Sequence, residues 1–300
     1  MTAVCRFALN YSSQAAELVR TGRLQLDLFK CPPWPEMVAT AARVLPVYIH
    51  FPLAVGLGQG DAVEAHRHRG YVPADWAAVE DWLRRTDTAY VNLHLEDFDA
   101  DDKRLTGQAR AERLIEAAIA DVEAVVRRFG AERVILENDH GNEVEDPAVL
   151  APEVIAAVVA ATGCGLLLDV SHARLAARRL GMDARAYIAR LPLAATREIH
   201  LTGIQPFGSP WAERMRANGV PPEVVARYEG RLLDHLPLTE TDWAFMAWAA
   251  DELRAGRWGD PRVIAVECGG EGPIWQALTD ADSLAEQVPR LRALMMVDSR

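Results

Sequence analysis

Histidines and carboxylates recur at the ends of short apolar runs along this chain. His50 closes Tyr48-Ile49-His50, His94 closes Val91-Asn92-Leu93-His94, and Glu137 precedes Asn138 after Ile135-Leu136. Asp169 and His172 follow Leu167-Leu168, His200 follows Ile199, and Glu267 follows Ala265-Val266. His235, with Asp234 beside it, adds an eighth ligand type in the long stretch after His200. Taken singly, each has an ordinary explanation: a hydrogen-bonded packing histidine, or a carboxylate that caps the next helix. Together they do not. Three buried acids left unneutralised would repel one another and resist desolvation. A divalent metal removes that penalty, and imidazole with carboxylate suits zinc, iron or manganese. One metal takes three or four protein ligands, so seven or eight point to two or three ions sharing bridging carboxylates. Asp169 and His172, three residues apart, are better placed to serve neighbouring ions than the same one.

Such a set needs a scaffold that brings strand ends together. Apolar runs at 4–9, 24–29, 44–49, 89–95, 133–136, 165–170, 198–201 and 263–266 alternate with helix-period segments. Ser12-Ser13 can cap a helix that stops at Gly22, and Asp75-Trp76 opens another. Residues 108–129 carry Leu114, Ala117, Ala118, Asp121, Val122 and Val125 near helical spacing, with Gly130 as the stop. Eight strands alternating with helices, without a linker, predict an α/β fold: a single (β/α)8 TIM barrel over 1–300. A doubly wound open sheet is the runner-up. Three segments, 54–72, 138–148 and 202–242, are too long for turns and are expected as functional loops over the C-terminal mouth.

Composition narrows the classes. Half of the 300 residues are hydrophobic and a quarter charged, which is globular. A net charge of −11 disfavours a phosphate-backbone partner. No apolar run reaches the ~18 residues of a membrane span, and the first residues lack a signal-peptide pattern, so a cytoplasmic protein is expected. Cys5, Cys31, Cys164 and Cys268 form no C-x-x-C pair and are expected as reduced, mostly buried thiols.

The wording around the ligands resembles a known family. His50-Phe-Pro-Leu-Ala-Val-Gly-Leu-Gly, Asn92-Leu-His94-Leu, Glu137-Asn138, Gly163-Cys-Gly-Leu-Leu-Leu-Asp169 and Glu198-Ile-His200-Leu-Thr-Gly203 are similar to the multinuclear non-haem iron-dependent oxidative enzymes. These were long known as domain of unknown function 692, within the xylose isomerase-like barrels that also include endonuclease IV. The resemblance runs from about His50 to Glu267. It departs where the family has an acid two residues before its late histidine: Leu233 stands there, with Asp234 adjacent to His235. It departs again at Glu137-Asn-Asp-His140-Gly. The resemblance implies one metal on His50, His94 and a bridging Glu137. It implies a second on Glu137, Asp169, His200 and Glu267, and a third on His172, His235 and Asp234. It further implies iron, dioxygen, a peptide substrate and a separate protein that delivers the peptide.

Two other chemistries fit the same residue types. A metal-dependent sugar or sugar-phosphate isomerase or epimerase would use Lys30, in Leu28-Phe29-Lys30, as base or phosphate partner. A metal-dependent phosphoesterase would clamp attacking and leaving oxygens between its metals. Across these readings Lys30, Glu137 and Asn138 are the candidate catalytic residues, with Asn10, Asn92 and Asn138 placed to orient ligands. His66-Arg67-His68-Arg69 reads as a solvated loop, and Trp211, Trp243 and Trp275 as packing.

Overall fold

The computed structural model describes residues 4–66, 70–96, 105–140 and 150–296. The strands, in chain order, are β1 (Arg6–Asn10), β2 (Leu28–Cys31), β3 (Val47–Ile49), β4 (Leu53–Val55), β5 (Val63–His66), β6 (Gly70–Pro73) and β7 (Val91–Leu95). They continue with β8 (Val134–Glu137), β9 (Gly165–Asp169), β10 (Thr196–Leu201), β11 (Gly203–Pro206), β12 (Leu232–Leu236) and β13 (Val263–Val266). The helices are α1 (Ser13–Arg20), α2 (Pro35–Ala41), α3 (Trp76–Arg85), α4 (Gly107–Phe129), α5 (Pro152–Thr162) and α6 (Val170–Arg179). After them come α7 (Ala184–Ile188), α8 (Ser209–Ala217), α9 (Pro222–Ala226), α10 (Glu240–Arg254), α11 (Pro273–Leu278) and α12 (Ala281–Met295). Among the described residues β1, β2, β3, β7, β8, β9, β10 and β13 are each followed by helix before the next of them, with short paired strands inserted after β3 and β10: the (β/α)8 class of α/β fold.

The chain groups into two compact units. The first is Met1–Val47, His200–Gly256 and Arg262–Arg300; the second is Tyr48–Ile199 and Arg257–Pro261. In the first, β1 lies between β2 and β13, all parallel, with Asn10 opposite Lys30 and Ala8 opposite Ala265. In the second, β4, β7, β8 and β9 run parallel in that order, with Ala54 opposite His94 and His94 opposite Glu137. Strands buried along their whole length, such as β8 and β9, read as unbroken apolar runs because both faces are covered.

Local signals act where the sequence places them. Ser12 accepts the Ala15 N–H at 3.0 Å and opens α1, and Asp75 does the same for α3 through Ala78 at 3.1 Å. The second strand begins four residues later than expected. Asp27 turns its carboxylate to the Phe7 N–H at 2.7 Å, so ladder pairing with β1 starts only at Leu28.

Two of the expected loops contain regular structure. Within 54–72, β4, β5 and β6 form an antiparallel ribbon, with Leu53 opposite Glu64 and Val63 opposite Pro73. Within 202–242, β11 and β12 pair antiparallel around α8 and α9. Phe207, Met215, Val225, Leu233 and Leu236 pack there with Ala277 and Leu278 of α11 into a separate small core. Gly203 is required by close approach: a Cβ would stand 2.2 Å from the Pro237 carbonyl oxygen. Of the expected loop 138–148, residues 141–148 lie outside the described residues, as do 67–69 of the basic stretch.

Candidate metal centre

In the second unit, parallel pairing of β7 and β8 sets His94 directly opposite Glu137. Glu137 and Asp169 are buried, at 3% and 0% exposure. Glu137 Oε2 lies 3.1 Å from His94 Nδ1 and 3.5 Å from His50 Nε2. Its other oxygen, Oε1, lies 3.5 Å from His172 Nδ1. One carboxylate thus lies beside three imidazoles, with Oε2 towards His94 and His50 and Oε1 towards His172. Glu137, Asp169 and His172 each offer a ligand atom, and these lie within 4.8 Å of one another.

Backbone contacts orient the rings. His172 Nδ1 sits 2.9 Å from the Asn138 carbonyl, so its N–H donates there and the Nε2 lone pair turns towards Asp169 Oδ2 at 3.7 Å. His94 Nε2 is 3.3 Å from the Phe51 carbonyl, which leaves Nδ1 to face Glu137. Asn92 fixes the turn after His50: its Oδ1 accepts from Phe51 N at 2.7 Å and its Nδ2 donates to Phe51 O at 3.0 Å. Asn138 spends both amide atoms on the backbone of Asp169, at 2.9 Å each. Asp169 divides its carboxylate. Oδ1 caps α6, accepting from Ser171 Oγ at 2.6 Å and His172 N at 2.8 Å, while Oδ2 turns to the His172 ring.

The first unit carries the remaining candidates. His200, near the end of β10, is fully buried, and its Nδ1 is 3.0 Å from Glu267 Oε1 just beyond β13. Lys30 of β2 is buried and ion-paired with that same oxygen. β12 brings His235 Nε2 to 3.8 Å from Glu267 Oε2, with Asp234 Oδ1 at 4.0 Å from the same nitrogen. His235 has φ 58°, a left-handed backbone unusual for a residue with a Cβ and costing on the order of 1 kcal/mol. The Gly269 N–H bonds its carbonyl at 3.1 Å, and the Trp275 ring packs on its imidazole at 4.9 Å between centroids. Asn10 donates from Nδ2 to the Gly269 carbonyl at 3.2 Å.

These donors fit metal ions. Buried carboxylate oxygens lie beside imidazole nitrogens, and in His94 and His172 a backbone carbonyl takes one ring nitrogen, which is how proteins present neutral histidine to zinc, iron or manganese. The chain therefore carries His/carboxylate groups able to hold metal.

Among the neighbouring groups, Glu96 was not foreseen from the sequence. Glu96, two residues beyond His94, is held above the usual carboxylate range by burial and by Asp139, against a hydrogen bond from Tyr71. Its strand spacing, i and i+2 with His94, was the available signal. His140 packs edge-on against the His172 ring at 4.9 Å. Burial pushes the Cys31 and Cys268 thiols, next to Lys30 and Glu267 in sequence, up to about 12.

A family described as RiPP precursor modification enzyme MbnB/TglH/ChrH matches residues 34–230. The chain belongs to that family. Among similar proteins, a UPF0276 protein of Rhizorhabdus wittichii is 28% identical over 222 residues, covering 71% of this chain and 75% of the relative. A UPF0276 protein of Bordetella pertussis is 65% identical over 46 residues, 15% of this chain and 16% of that protein's length. One from Chromobacterium violaceum is 32% identical over 171 residues, 56% of this chain and 58% of the relative. Among solved structures, D-psicose 3-epimerase with D-tagatose from Clostridium cellulolyticum H10 aligns at TM-score 0.42 and 11% identity, over 97% of this chain and 98% of that one. The family is described as one of precursor-modifying enzymes.

Proposed function

We propose that this chain is an iron- and dioxygen-dependent oxidative enzyme acting on a peptide or small molecule at a di- or trinuclear site. Glu137 carries the reading: a buried carboxylate whose Oε2 faces the His94 and His50 ring nitrogens is costly unless a cation lies between them. The proposed ligands are His50, His94, Glu137, Asp169, His172, His200, Asp234, His235 and Glu267. Membership of a family described by RiPP precursor modification supports a peptide substrate; a second protein that delivers the peptide is part of the proposal. When bound, iron supplies the electron transfer that oxidation by dioxygen requires. Asn92 holds the Phe51 carbonyl, and the Phe51 and Asn138 carbonyls fix the His94 and His172 imidazoles so that each presents one lone pair. Asn138 holds the Asp169 backbone, and Asp169 Oδ1 is kept on its helix so that only Oδ2 is offered.

The test is elemental analysis with Mössbauer spectroscopy on protein purified anaerobically without added metal. Iron is expected; zinc or manganese alone overturns the oxidative reading. Glu137→Gln keeps the shape but removes the charge between the ions, so it should lose metal from more than one position. His172→Ala should lose at most one ion. Full metal content in Glu137→Gln would rule out the bridge.

A further inference from the structure

We propose that Lys30 fills a cation position at Glu267 with its own ammonium, so that the chain holds one metal ion fewer than its ligands would otherwise take. The inference rests on the metal reading above and concerns the first unit alone.

Glu267 is buried, at 3% exposure, and three groups meet its carboxylate. Lys30 Nζ and His200 Nδ1 both face Oε1, and His235 Nε2 faces Oε2. A carboxylate stripped of water needs a cation, and this one has a covalently tethered one. Lys30 cannot easily withdraw. It lies within β2, its carbonyl accepts from Tyr11 N at 2.9 Å, its register is set opposite Asn10, and its side chain is 7% exposed. An ammonium and a divalent ion at one carboxylate oxygen repel strongly where water is excluded. The two occupants therefore exclude each other at Oε1. His200, His235 and Glu267 retain metal-ligand chemistry, but Lys30 holds their shared carboxylate first. The role is electrostatic and positional: Lys30 touches a ligand, not the substrate.

Wild-type, Lys30→Met and Lys30→Gln proteins are loaded anaerobically with Fe(II), freed of excess metal and assayed for metal per folded chain. Circular dichroism checks the fold of each, and two neutral replacements of different polarity guard against one failing to fold. Lys30→Arg, which keeps the charge, is the control expected to match wild type. Each neutral variant is expected to hold one more metal ion per chain than wild type. A folded neutral variant with the wild-type count and affinity overturns the proposal. A wild-type protein that binds no metal overturns the metal reading itself, so the two failures are distinguishable.

Discussion

Asn138 and Asp169 show how a residue can matter at a site through the backbone it holds. Asn138 ends its contacts on the Asp169 N–H and carbonyl, so this amide fixes where the aspartate leaves β9 and enters α6. Asn138→Ala leaves both backbone groups buried without their partner, at about 1–3 kcal/mol for each group left unsatisfied. A stability loss of at least ~2 kcal/mol is expected by urea denaturation. Asn138→Asp keeps the acceptor for Asp169 N–H but sets a buried carboxylate against the Asp169 carbonyl, and should lose at least as much. A loss below ~1 kcal/mol in Asn138→Ala would show that the two contacts contribute little. Sequence made Asn138 a candidate by its place after Glu137, but its partner lies 31 residues away and could not be read from spacing.

At the scale of elements, α4 and the ribbon after β3 depend on one another. Asp121 falls on the apolar stripe of α4, where a charged residue is out of pattern, and it is fully buried. Its carboxylate accepts the N–H groups of Gly56, Gly58 and Gly60 at 3.0, 2.9 and 2.8 Å. Gly56, at φ 122°, also leaves no room for a Cβ, which would lie 2.2 Å from the Glu96 carbonyl. Asp121→Ala removes three charge-assisted hydrogen bonds together and is expected to cost about 3–5 kcal/mol by chemical denaturation. It should also expose the segment around residues 56–60 to limited proteolysis before the rest of the chain. A loss below ~1 kcal/mol would show that water replaces Asp121 without penalty. The helical stripe was legible in the sequence. The misfit within it was the one sign of a long-range tether, and its three glycine partners emerge only in three dimensions.

For the whole molecule, the four cysteines give a direct measure of how tightly the interior excludes solvent. Cys31, Cys164 and Cys268 are buried and Cys5 is intermediate in exposure. Desolvation raises all three buried thiols, Cys31 and Cys268 to about 12. At pH 8 a thiol with a pKa near 12 is thiolate in about one molecule in ten thousand. A disulfide reagent at pH 8 should therefore modify no more than Cys5 in the folded protein and all four thiols in denaturant. Rapid modification of two or more native thiols would contradict this packing. Among the described residues no helix is long and apolar enough to cross a membrane.

Periodicity alone determined the order of strands and helices, because a buried strand must be apolar along its length and a surface helix apolar on one stripe. Ligand types at strand ends were legible for a related reason: a polar residue closing an apolar run is conspicuous. Boundaries were less so. Leu24 and Leu26 are buried but outside β2, since burial does not require ladder pairing and Asp27 takes the Phe7 N–H instead. In the ribbon β4–β6 and the β11–β12 pair the strands are short, and β6 and β11 are partly exposed, which weakens the alternation that marks a strand. Only the tertiary structure decided what each candidate touches. Lys30 and Glu267 lie 237 residues apart in sequence, yet β1, between β2 and β13, sets their strands in one parallel ladder. A lysine is a plausible base, anchor or surface residue by type. It becomes the counterion of a buried carboxylate only because the fold removes water from both.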